Sequence, residues 1–336
     1  MKSIFLNGSD HNFHYVYPPE TIAALQTEAG LIPTAYSKEQ LLADPSIGAD
    51  ADYIFTTWGM PTLTEDEIRQ YLPNLKAVFY GAGSVQQFAR PFLNCGVQVF
   101  SAWAANGVPV AEYTVAQIVL ANTGFFQSCA QCSTLEGRIA ARSAQRANYD
   151  GNYDCAVGLI GAGMIGSMVA ERLRDYHIHV MVFDPFLSDE RAAQLGVEKT
   201  SLERIFTECQ TISNHLANNP QTVGMLNYER CFARMLPQAT FINTGRGAQV
   251  VEPDLVRALT EVPTRTAVLD VTYPEPPVAE SPFYTMPNVF LTPHIAGSKG
   301  KEVHRMSLYM LEEFRRLIAG EPTRWSVTPK MLETMA

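Results

Sequence analysis

Three side chains with complementary chemistry lie in three short strings in the second half of the chain. Arg246 lies in NTGRG, Glu275 in LDVTYPEP and His294 in LTPHIAG. A guanidinium holds a carboxylate by two parallel hydrogen bonds, and an imidazole can pass a proton to or from the adjacent oxygen. A carboxylate beside the imidazole keeps it basic enough to do so. These groups are the parts needed to move a hydride and a proton at a 2-keto or 2-hydroxy acid.

A glycine-rich turn precedes the three strings. GAGMIG runs from Gly161 to Gly166, directly after the apolar run VGLI and before a helical pattern that begins near Ile165. Glycines also cluster in plain turns, but the order strand, turn, helix is the one that dinucleotide binding requires. Gly161 permits the tight turn, Gly163 lets the backbone approach a diphosphate, and Gly166 lets the helix pack on the strand. We expect the diphosphate at the amides of this helix start, which includes Met164 and Ile165.

Asp184 ends the next predicted strand, in VMVFDPF. An acidic residue at this separation meets the ribose hydroxyls of adenosine, and its charge repels a 2′-phosphate. Asp189 and Glu190 add negative charge before the next arginine, Arg191. The sequence therefore predicts NAD rather than NADP as the cofactor.

The composition indicates a folded protein of two domains. A chain of 336 residues exceeds what one core usually organises, and 46% of its residues are hydrophobic. The formal charge of -9, without a cluster of Lys and Arg, argues against nucleic acid and anionic membranes as partners. The start, MKSIFLNGSD, has too short an apolar run for a signal peptide, and the most apolar segment, 108–121, carries Glu112 and Gln117. We therefore expect a cytoplasmic protein without a spanning segment.

Six cysteines are scattered at positions 95, 129, 132, 155, 209 and 231, without the density of a secreted scaffold. We expect free thiols in a reducing compartment. Cys129 and Cys132 form a single C-x-x-C, which is two ligands short of a structural zinc site. His177 and His179 have no third ligand in sight either, so we expect no metal site.

Alternating β-rich and helical runs indicate two α/β layer structures. In the first hundred residues we predict strands at 3–6, 53–57, 77–80 and 97–100, with helices at 19–29 and 64–71. A long helix begins near Val110, and because it is apolar on most of its circumference it is the predicted subunit contact. From residue 153 the alternation restarts, with strands at 155–160, 179–183, 211–213, 240–243, 267–269 and 289–291 and helices at 165–176 and 301–318. This second rhythm favours a doubly wound parallel sheet.

As a set, these motifs resemble those of the D-isomer-specific 2-hydroxyacid dehydrogenases, most densely from about Asn106 to Gly297. The resemblance implies a Rossmann cofactor domain inserted into a smaller, flavodoxin-like α/β substrate domain. Residues 1–102 and 299–336 would form the substrate domain, and residues 103–298 the NAD-binding domain. It also implies an enzyme that acts on the CH–OH group of a small acid, in a homodimer formed through the helix after Val110.

The resemblance assigns roles residue by residue. Arg246 matches the substrate-binding arginine, His294 the acid/base, and Glu275 the partner that raises the pKa of this histidine. Asp270 matches the residue that holds the nicotinamide carboxamide. Further cofactor-binding positions implied by the family pattern are His215, Thr222, Thr244, Gly245 and Gly297.

Substrate-binding positions are implied in the first part of the chain. The loop YGAGS resembles one whose amides grip the carboxylate, which points to Ala82 and Gly83, and Asn106 matches a substrate-binding asparagine. Formate dehydrogenases carry glutamine where this chain has Glu275, which argues against formate. Aromatic and histidine side chains that follow predicted strands have open roles, either packing or contact with the variable end of the substrate: His11, His14, Trp58 and Tyr80.

Two other functions remain open at this point. Relatives that oxidise another small anion, such as phosphite, retain the same three catalytic residues. A non-enzymatic corepressor-like protein that senses NAD(H) also retains them, although such proteins often depend on long disordered tails that this sequence lacks.

Overall fold

The computed structural model describes residues 1–333. The chain divides into two compact units. Unit 1 comprises Met1–Gly107 and the segment that begins at Ser298, and unit 2 comprises Val108–Gly297. The domain limits expected from the sequence, 102/103 and 298/299, lie within five residues of these. Unit 2 is a continuous insertion into the sequence of unit 1.

Unit 1 opens with alternating strands and helices. The strands are β1 (Ser3–Leu6), β2 (Leu31–Tyr36), β3 (Tyr53–Thr56), β4 (Ala77–Tyr80) and β5 (Gln98–Ser101). The helices are α1 (Asp10–Val16), α2 (Pro19–Ala29), α3 (Lys38–Ala43), α4 (Glu65–Tyr71) and α5 (Ala89–Asn94). The five strands pair in parallel in the order β2, β1, β3, β4, β5, which is the flavodoxin-like order.

Strand β2 was missed by the sequence analysis. Its sequence, LIPTAY, follows Gly30 and contains Pro33, and both residues are typical of loops. The strand lies at the edge of the sheet, where a proline removes no hydrogen bond that a neighbouring strand needs. Sheet position therefore permits a strand that local propensity disfavours.

Helix α6 (Trp103–Asn122) begins seven residues before the start predicted at Val110. The prediction was wrong because Pro109 normally marks the first turn of a helix. Here Pro109 lies inside the helix, and Ala104 and Ala105 before it are buried, so packing extends the helix through the proline. Two shorter helices follow, α7 (Phe125–Gln131) and α8 (Leu135–Asn148).

Unit 2 continues with a strand and helix alternation. The strands are β6 (Tyr153–Ile160), β7 (His177–Phe183), β8 (Glu198–Lys199), β9 (Thr211–Asn214), β10 (Thr240–Asn243), β11 (Thr266–Leu269) and β12 (Val289–Leu291). The helices are α9 (Met164–Leu173), α10 (Asp189–Leu195), α11 (Leu202–Glu208) and α12 (Glu252–Glu261). Within residues 108–297, the seven strands form one parallel sheet in the order β12, β11, β10, β9, β6, β7, β8.

The strand order of unit 2 reverses between β6 and β9. From β6 the chain adds β7 and β8 on one side, and it then returns to add β9 to β12 on the other. Apolar clusters cover both faces of the sheet, as a parallel sheet requires. Ligands of such sheets bind beyond the carboxyl ends of the strands where the order reverses. The loops after β6 and β9 are therefore the first place to look for a site.

The chain ends in unit 1 with α13 (His304–Ala319) and β13 (Ser326–Val327). Phe314 of α13 packs edge-on against Tyr53, Phe55 and Phe79 of the sheet. Strand β13 pairs antiparallel with β5. Among residues 1–333, no helix combines the length and apolar character that crossing a bilayer demands.

Candidate active site

The parallel sheet of unit 2 brings the predicted groups to one edge. The glycine turn follows β6, His215 follows β9, Arg246 follows β10, and Asp270 follows β11. His294 comes three residues after the end of β12. Because parallel strands all end at the same edge, residues scattered over more than 130 positions in sequence meet there.

His294 and Glu275 form a hydrogen-bonded pair. Nδ1 of the imidazole lies 2.6 Å from Oε1 of the carboxylate, and about half of each side chain is exposed. The contact fixes which ring nitrogen faces the carboxylate, so Nε2 is left for a reactant. A cavity of about 470 Å³ borders the pair and is also lined by Pro277 and Tyr284. Its volume is within the range of small-molecule sites.

Asp270 holds the loop that carries His294. Its Oδ1 accepts hydrogen bonds from Thr292 Oγ1 (2.6 Å) and the Ile295 amide (2.7 Å), and its Oδ2 accepts one from the Ala296 amide (2.9 Å). Only 3% of Asp270 is exposed. The His294 backbone has φ of 54°, a left-handed conformation that costs energy for a non-glycine residue and needs such support. Asp270, which the family pattern predicts to contact a nicotinamide, therefore also orients the imidazole.

Arg246 is mostly buried, and its Nη1 donates to the Gly245 carbonyl at 2.8 Å. Burial lowers the pKa of Arg246, and the Glu275 carboxylate opposes this effect. A guanidinium with few water contacts gains more from a bound carboxylate than an exposed one does. Gly247 is required beside it, because a Cβ at that position would lie 1.9 Å from the Thr272 carbonyl carbon.

The glycine turn combines one tight contact with one open space. Gly161 has φ of +95°, and a Cβ on Gly166 would lie 2.0 Å from the Gly161 carbonyl oxygen. At Gly163, by contrast, no atom lies within 4 Å of the Cβ position. Gly163 also precedes α9 without a side-chain cap, so the first amides of the helix have no capping partner. Open space beside unpaired amides fits a diphosphate.

Asp184 is half-buried and tethers the glycine turn. Its Oδ2 accepts from the Ala162 amide at 2.7 Å, and its Oδ1 accepts from the Phe186 amide at 2.8 Å. Each oxygen retains one lone pair, which is what the predicted contact with ribose hydroxyls needs.

His215 lies against the glycine turn. A Cβ on Gly161 would lie 2.8 Å from the His215 carbonyl oxygen, and the His215 amide donates to Ile160 at 2.7 Å. Nε2 of the ring lies 3.0 Å from Ser213 Oγ, whereas Nδ1 is buried without a hydrogen-bond partner among the described residues. Burial lowers the pKa of His215 to about 4, so the ring is neutral near pH 7. An unpaired buried nitrogen at this place is what a polar ligand would satisfy.

Three further predicted cofactor-binding positions form hydrogen bonds within the protein: Thr222, Thr244 and Gly245. The Thr244 hydroxyl lies 2.9 Å from that of Thr114, and the Thr222 hydroxyl donates to the Ala217 carbonyl at 2.7 Å. The Gly245 amide donates to Asn243. Both threonine hydroxyls are therefore engaged with the protein itself, which the family pattern alone does not reveal. Gly297 ends the loop that Asp270 holds.

In unit 1, the predicted carboxylate loop follows β4. The Ala82 amide donates to the Tyr80 carbonyl at 2.9 Å, so in this structure it is engaged within its own loop. The hydroxyls of Thr57 and Ser101 bind the carbonyls of Gly81, Ala82 and Gly83.

The free donors of this loop lie one residue further along. Within the described part of the chain, the amides of Gly83 and Ser84 have no partner. The Asn106 amide nitrogen lies 3.7 Å from the Gly83 Cβ position, and its oxygen accepts from Ser298. The side chain of Asn106 therefore lies beside Gly83, the second of the two predicted donor positions.

The aromatic and histidine side chains of open role have mixed environments. His11 stacks on Tyr15, whose hydroxyl accepts from the Gly300 amide, and His14 lies 3.8 Å from Asp10. Tyr80 packs edge-on against Phe88, and burial raises the pKa of Tyr80 to about 12. Tyr80 is therefore a packing residue.

The sequence analysis missed three buried amides. Asn214, Asn243 and Gln249 are at most 1% exposed and bond to one another and to the backbone on either side of Arg246. The available signal was position, since Asn214 and Asn243 are the last residues of fully buried strands.

Comparisons with known proteins agree with this geometry. Residues 125–296 match the family model described as "D-isomer specific 2-hydroxyacid dehydrogenase, NAD binding domain". The D-3-phosphoglycerate dehydrogenase of Mycobacterium bovis is 30% identical over 308 residues, which cover 90% of this chain and 56% of that protein. The enzyme of the same name from Archaeoglobus fulgidus is 28% identical over 81% of this chain and 51% of its own length. The chain thus spans about half the length of the curated relatives it matches.

Solved structures show the same fold. A phosphoglycerate oxidoreductase from Rhizobium etli has a TM-score of 0.78 at 20% identity, covering 98% of this chain and 99% of that one. A D-lactate dehydrogenase with NAD+ from Lactobacillus jensenii has a TM-score of 0.72 at 21% identity, covering 98% and 100%. The fold class predicted from the sequence is confirmed.

Alanine substitutions at Gly166 and Gly163 should affect different properties, the stability of the protein and the binding of NADH respectively. Gly166→Ala should destabilise the protein by about 1–3 kcal/mol, because its Cβ overlaps the Gly161 carbonyl. Gly163→Ala should leave urea unfolding nearly unchanged but weaken NADH binding at least tenfold, because its methyl group fills the open space. Fluorescence titration with NADH measures the second effect, and wild-type affinity in Gly163→Ala would contradict the predicted diphosphate position.

Acidification should destabilise the protein through His215. The pKa of this group is about 4 in the folded state against 6.5 for an unperturbed histidine, so between these pH values the unfolded chain binds a proton that the folded chain does not. The stabilisation is fully present above pH 6.5 and is lost as the pH falls towards 4, by up to about 3 kcal/mol. Urea unfolding at pH 7 and 4.5 should show a smaller loss in His215→Gln than in the wild type or in the exposed control His14→Gln. Equal losses in all three proteins would refute this role.

Proposed function

Because the chain belongs to the D-isomer specific 2-hydroxyacid dehydrogenase family, with residues 125–296 as its NAD-binding domain, we propose that it interconverts a small 2-keto acid and the corresponding 2-hydroxy acid with NAD(H). The observation that carries this proposal is the 2.6 Å contact between His294 and Glu275 at the sheet edge that also holds Arg246 and the glycine turn. When bound, NAD(H) supplies or accepts the hydride.

In this mechanism Arg246 binds the substrate carboxylate, or its carbonyl oxygen, through the two-pronged geometry of its guanidinium. Nε2 of His294 gives a proton to the carbonyl oxygen during reduction and takes one from the hydroxyl during oxidation. Glu275 stabilises the imidazolium, which is the form that donates. Reduction and oxidation should therefore have opposite pH dependences.

Unit 1 has hydrogen-bond donors of its own after β4. The amides of Gly83 and Ser84 and the side chain of Asn106 are suited to a carboxylate oxygen, since several neutral donors stabilise an anion without a buried cation. Thr57 and Ser101 support them, because hydroxyls that bind the loop carbonyls keep those oxygens away from a bound anion.

We further propose a cytoplasmic homodimer. The six cysteines, all within the described part of the chain, are free thiols, in line with the sequence prediction and with a reducing compartment. The predicted contact helix α6 leads directly into α7 and α8, which expose the apolar side chains Phe125, Leu135 and Ile139. Leu135 and Ile139 lie one turn apart on α8, and exposed apolar side chains on one helix face favour burial against a second copy.

A panel of 2-keto acids with NADH tests the proposed activity. We expect oxidation of NADH with at least one acid, and a loss of about 10²–10⁴-fold in kcat for His294→Gln, which removes the positioned proton donor. His304→Gln, on α13, is the matched control and should behave as the wild type. NADH binding without turnover of any acid would instead favour the NAD(H)-sensing alternative, and NAD+ reduction by phosphite alone would favour the anion oxidase.

Replacing Arg246 by lysine tests the carboxylate fork. Lysine keeps the charge but is a point donor that cannot form two parallel hydrogen bonds, so KM for the keto acid should rise at least tenfold while NADH binding stays close to wild type. Steady-state kinetics and an NADH titration measure the two effects. An unchanged KM would exclude Arg246 from substrate binding.

A further inference from the structure

Three buried side-chain amides lie between two loops of unit 2, the loop after β9 and the loop after β10 that carries Arg246. Asn214 ends β9, Asn243 ends β10, and Gln249 ends the 3-10 turn Gly247–Gln249 that follows Arg246. The Asn214 Nδ2 atom donates to Asn243 Oδ1 at 3.0 Å and to Gln249 Oε1 at 2.6 Å. The three amides therefore form one connected cluster, here called the amide cluster.

The amide cluster holds the backbone of Arg246 from both sides. The Arg246 amide donates to Gln249 Oε1 at 3.3 Å, and the Arg246 carbonyl accepts from Asn243 Nδ2 at 3.2 Å. The Asn243 Oδ1 atom also accepts from the Gly245 amide at 3.1 Å. Both peptide groups of Arg246 are thus fixed by side chains, and the direction in which its side chain leaves the loop is fixed with them.

The same cluster holds the loop that follows His215. Gln249 Nε2 donates to the carbonyls of Leu216 (2.7 Å) and Ala217 (2.9 Å), and Asn214 Oδ1 accepts from the Leu216 amide at 3.3 Å. His215 itself touches the glycine turn at Gly161. A chain of contacts therefore runs from the glycine turn through residues 215–217 and Gln249 to Arg246.

Gln249 is the member of the amide cluster that bonds both to Arg246 and to the loop after His215. Its oxygen accepts two hydrogen bonds and its nitrogen donates two, which is the full capacity of a carboxamide. A carboxylate would keep the acceptors and lose the donors, and an apolar side chain would lose all four. Gln249 is fully buried and contacts the loops rather than any open space.

We propose that Gln249 is a positioning residue that sets the orientation of Arg246 relative to the loop that follows His215. Substrate affinity then depends on a side chain that touches neither substrate nor cofactor. The proposal rests on the proposed function for its kinetic consequence, but the effect on the Arg246 backbone does not depend on any activity.

The first test uses Gln249→Met, which has similar volume and no hydrogen-bonding groups. In the protein without ligand, hydrogen exchange of the Arg246 amide should be at least tenfold faster than in the wild type, because its acceptor is gone. The binding of oxalate, which carries the paired oxygens of a 2-keto acid, to the NADH complex should weaken at least tenfold. KM for the keto acid should rise in parallel while kcat changes less than threefold. Gln194→Met, on the exposed face of α10, is the matched control and should change none of these quantities.

The second variant, Gln249→Glu, separates the contact with Arg246 from the contacts with Leu216 and Ala217. It also provides the test if Gln249→Met does not fold. Its oxygens still accept from Arg246, so exchange of this amide should stay within threefold of the wild type. The Leu216 and Ala217 carbonyls lose their donor, so NADH binding should weaken. The proposal is overturned if hydrogen exchange of the Arg246 amide is equally fast in folded Gln249→Met and folded Gln249→Glu. It is also overturned if oxalate binds to Gln249→Met as tightly as to the wild type. If the wild type itself neither binds NADH nor reduces any keto acid, the proposed function fails, while the exchange measurement still decides the positioning role.

Discussion

The common direction of the seven strands in unit 2 is the constraint on which the site depends. Each strand delivers the loop after it to the same edge, so groups from the five loops after β6, β9, β10, β11 and β12 meet there. The reversal of order between β6 and β9 opens a space between the first two of these loops, and the glycine turn and His215 border that space. Five of these positions lie one to three residues beyond a strand end: Gly163, His215, Arg246, Asp270 and His294. Glu275 lies six residues beyond the end of β11. The rigidity of the sheet is therefore transmitted to the groups that must be placed accurately.

Buried polar groups then fix the loops in a single arrangement. A buried amide or carboxylate without a partner costs about 1–3 kcal/mol, so any alternative loop conformation that breaks these bonds is disfavoured. Asp270 satisfies three donors of the His294 loop, and the amide cluster satisfies both peptide groups of Arg246. The same principle acts in unit 1, where two hydroxyls hold three carbonyls of the loop after β4. In each case a side chain that performs no chemistry decides the direction of one that can.

Much of the site could be predicted from the sequence, because the chemistry of its residues is local. Glycine is selected at Gly161 by a φ of +95°, and at Gly166 because a Cβ there would lie 2.0 Å from the Gly161 carbonyl oxygen. The pairing of His294 with Glu275 was expected from residue type and order, and the structure brings the two side chains into contact. The apolar runs of most strands identified the sheet for the same reason, since a strand buried on both faces has few alternatives.

The sequence by itself determined which residue types could act and which backbone turns they occupy, because side-chain chemistry and glycine conformation do not depend on distant neighbours. Only the tertiary structure decided which hydrogen-bond donors remain free. The Ala82 amide is engaged in a turn with Tyr80, and Asp270 accepts three hydrogen bonds from the His294 loop. Gln249 donates to two carbonyls that lie 32 and 33 residues earlier in the chain. Packing also carried α6 through Pro109 and made a strand of LIPTAY at a sheet edge. Hydrogen-bond satisfaction and burial are properties of the assembled neighbourhood, and no local pattern encodes them.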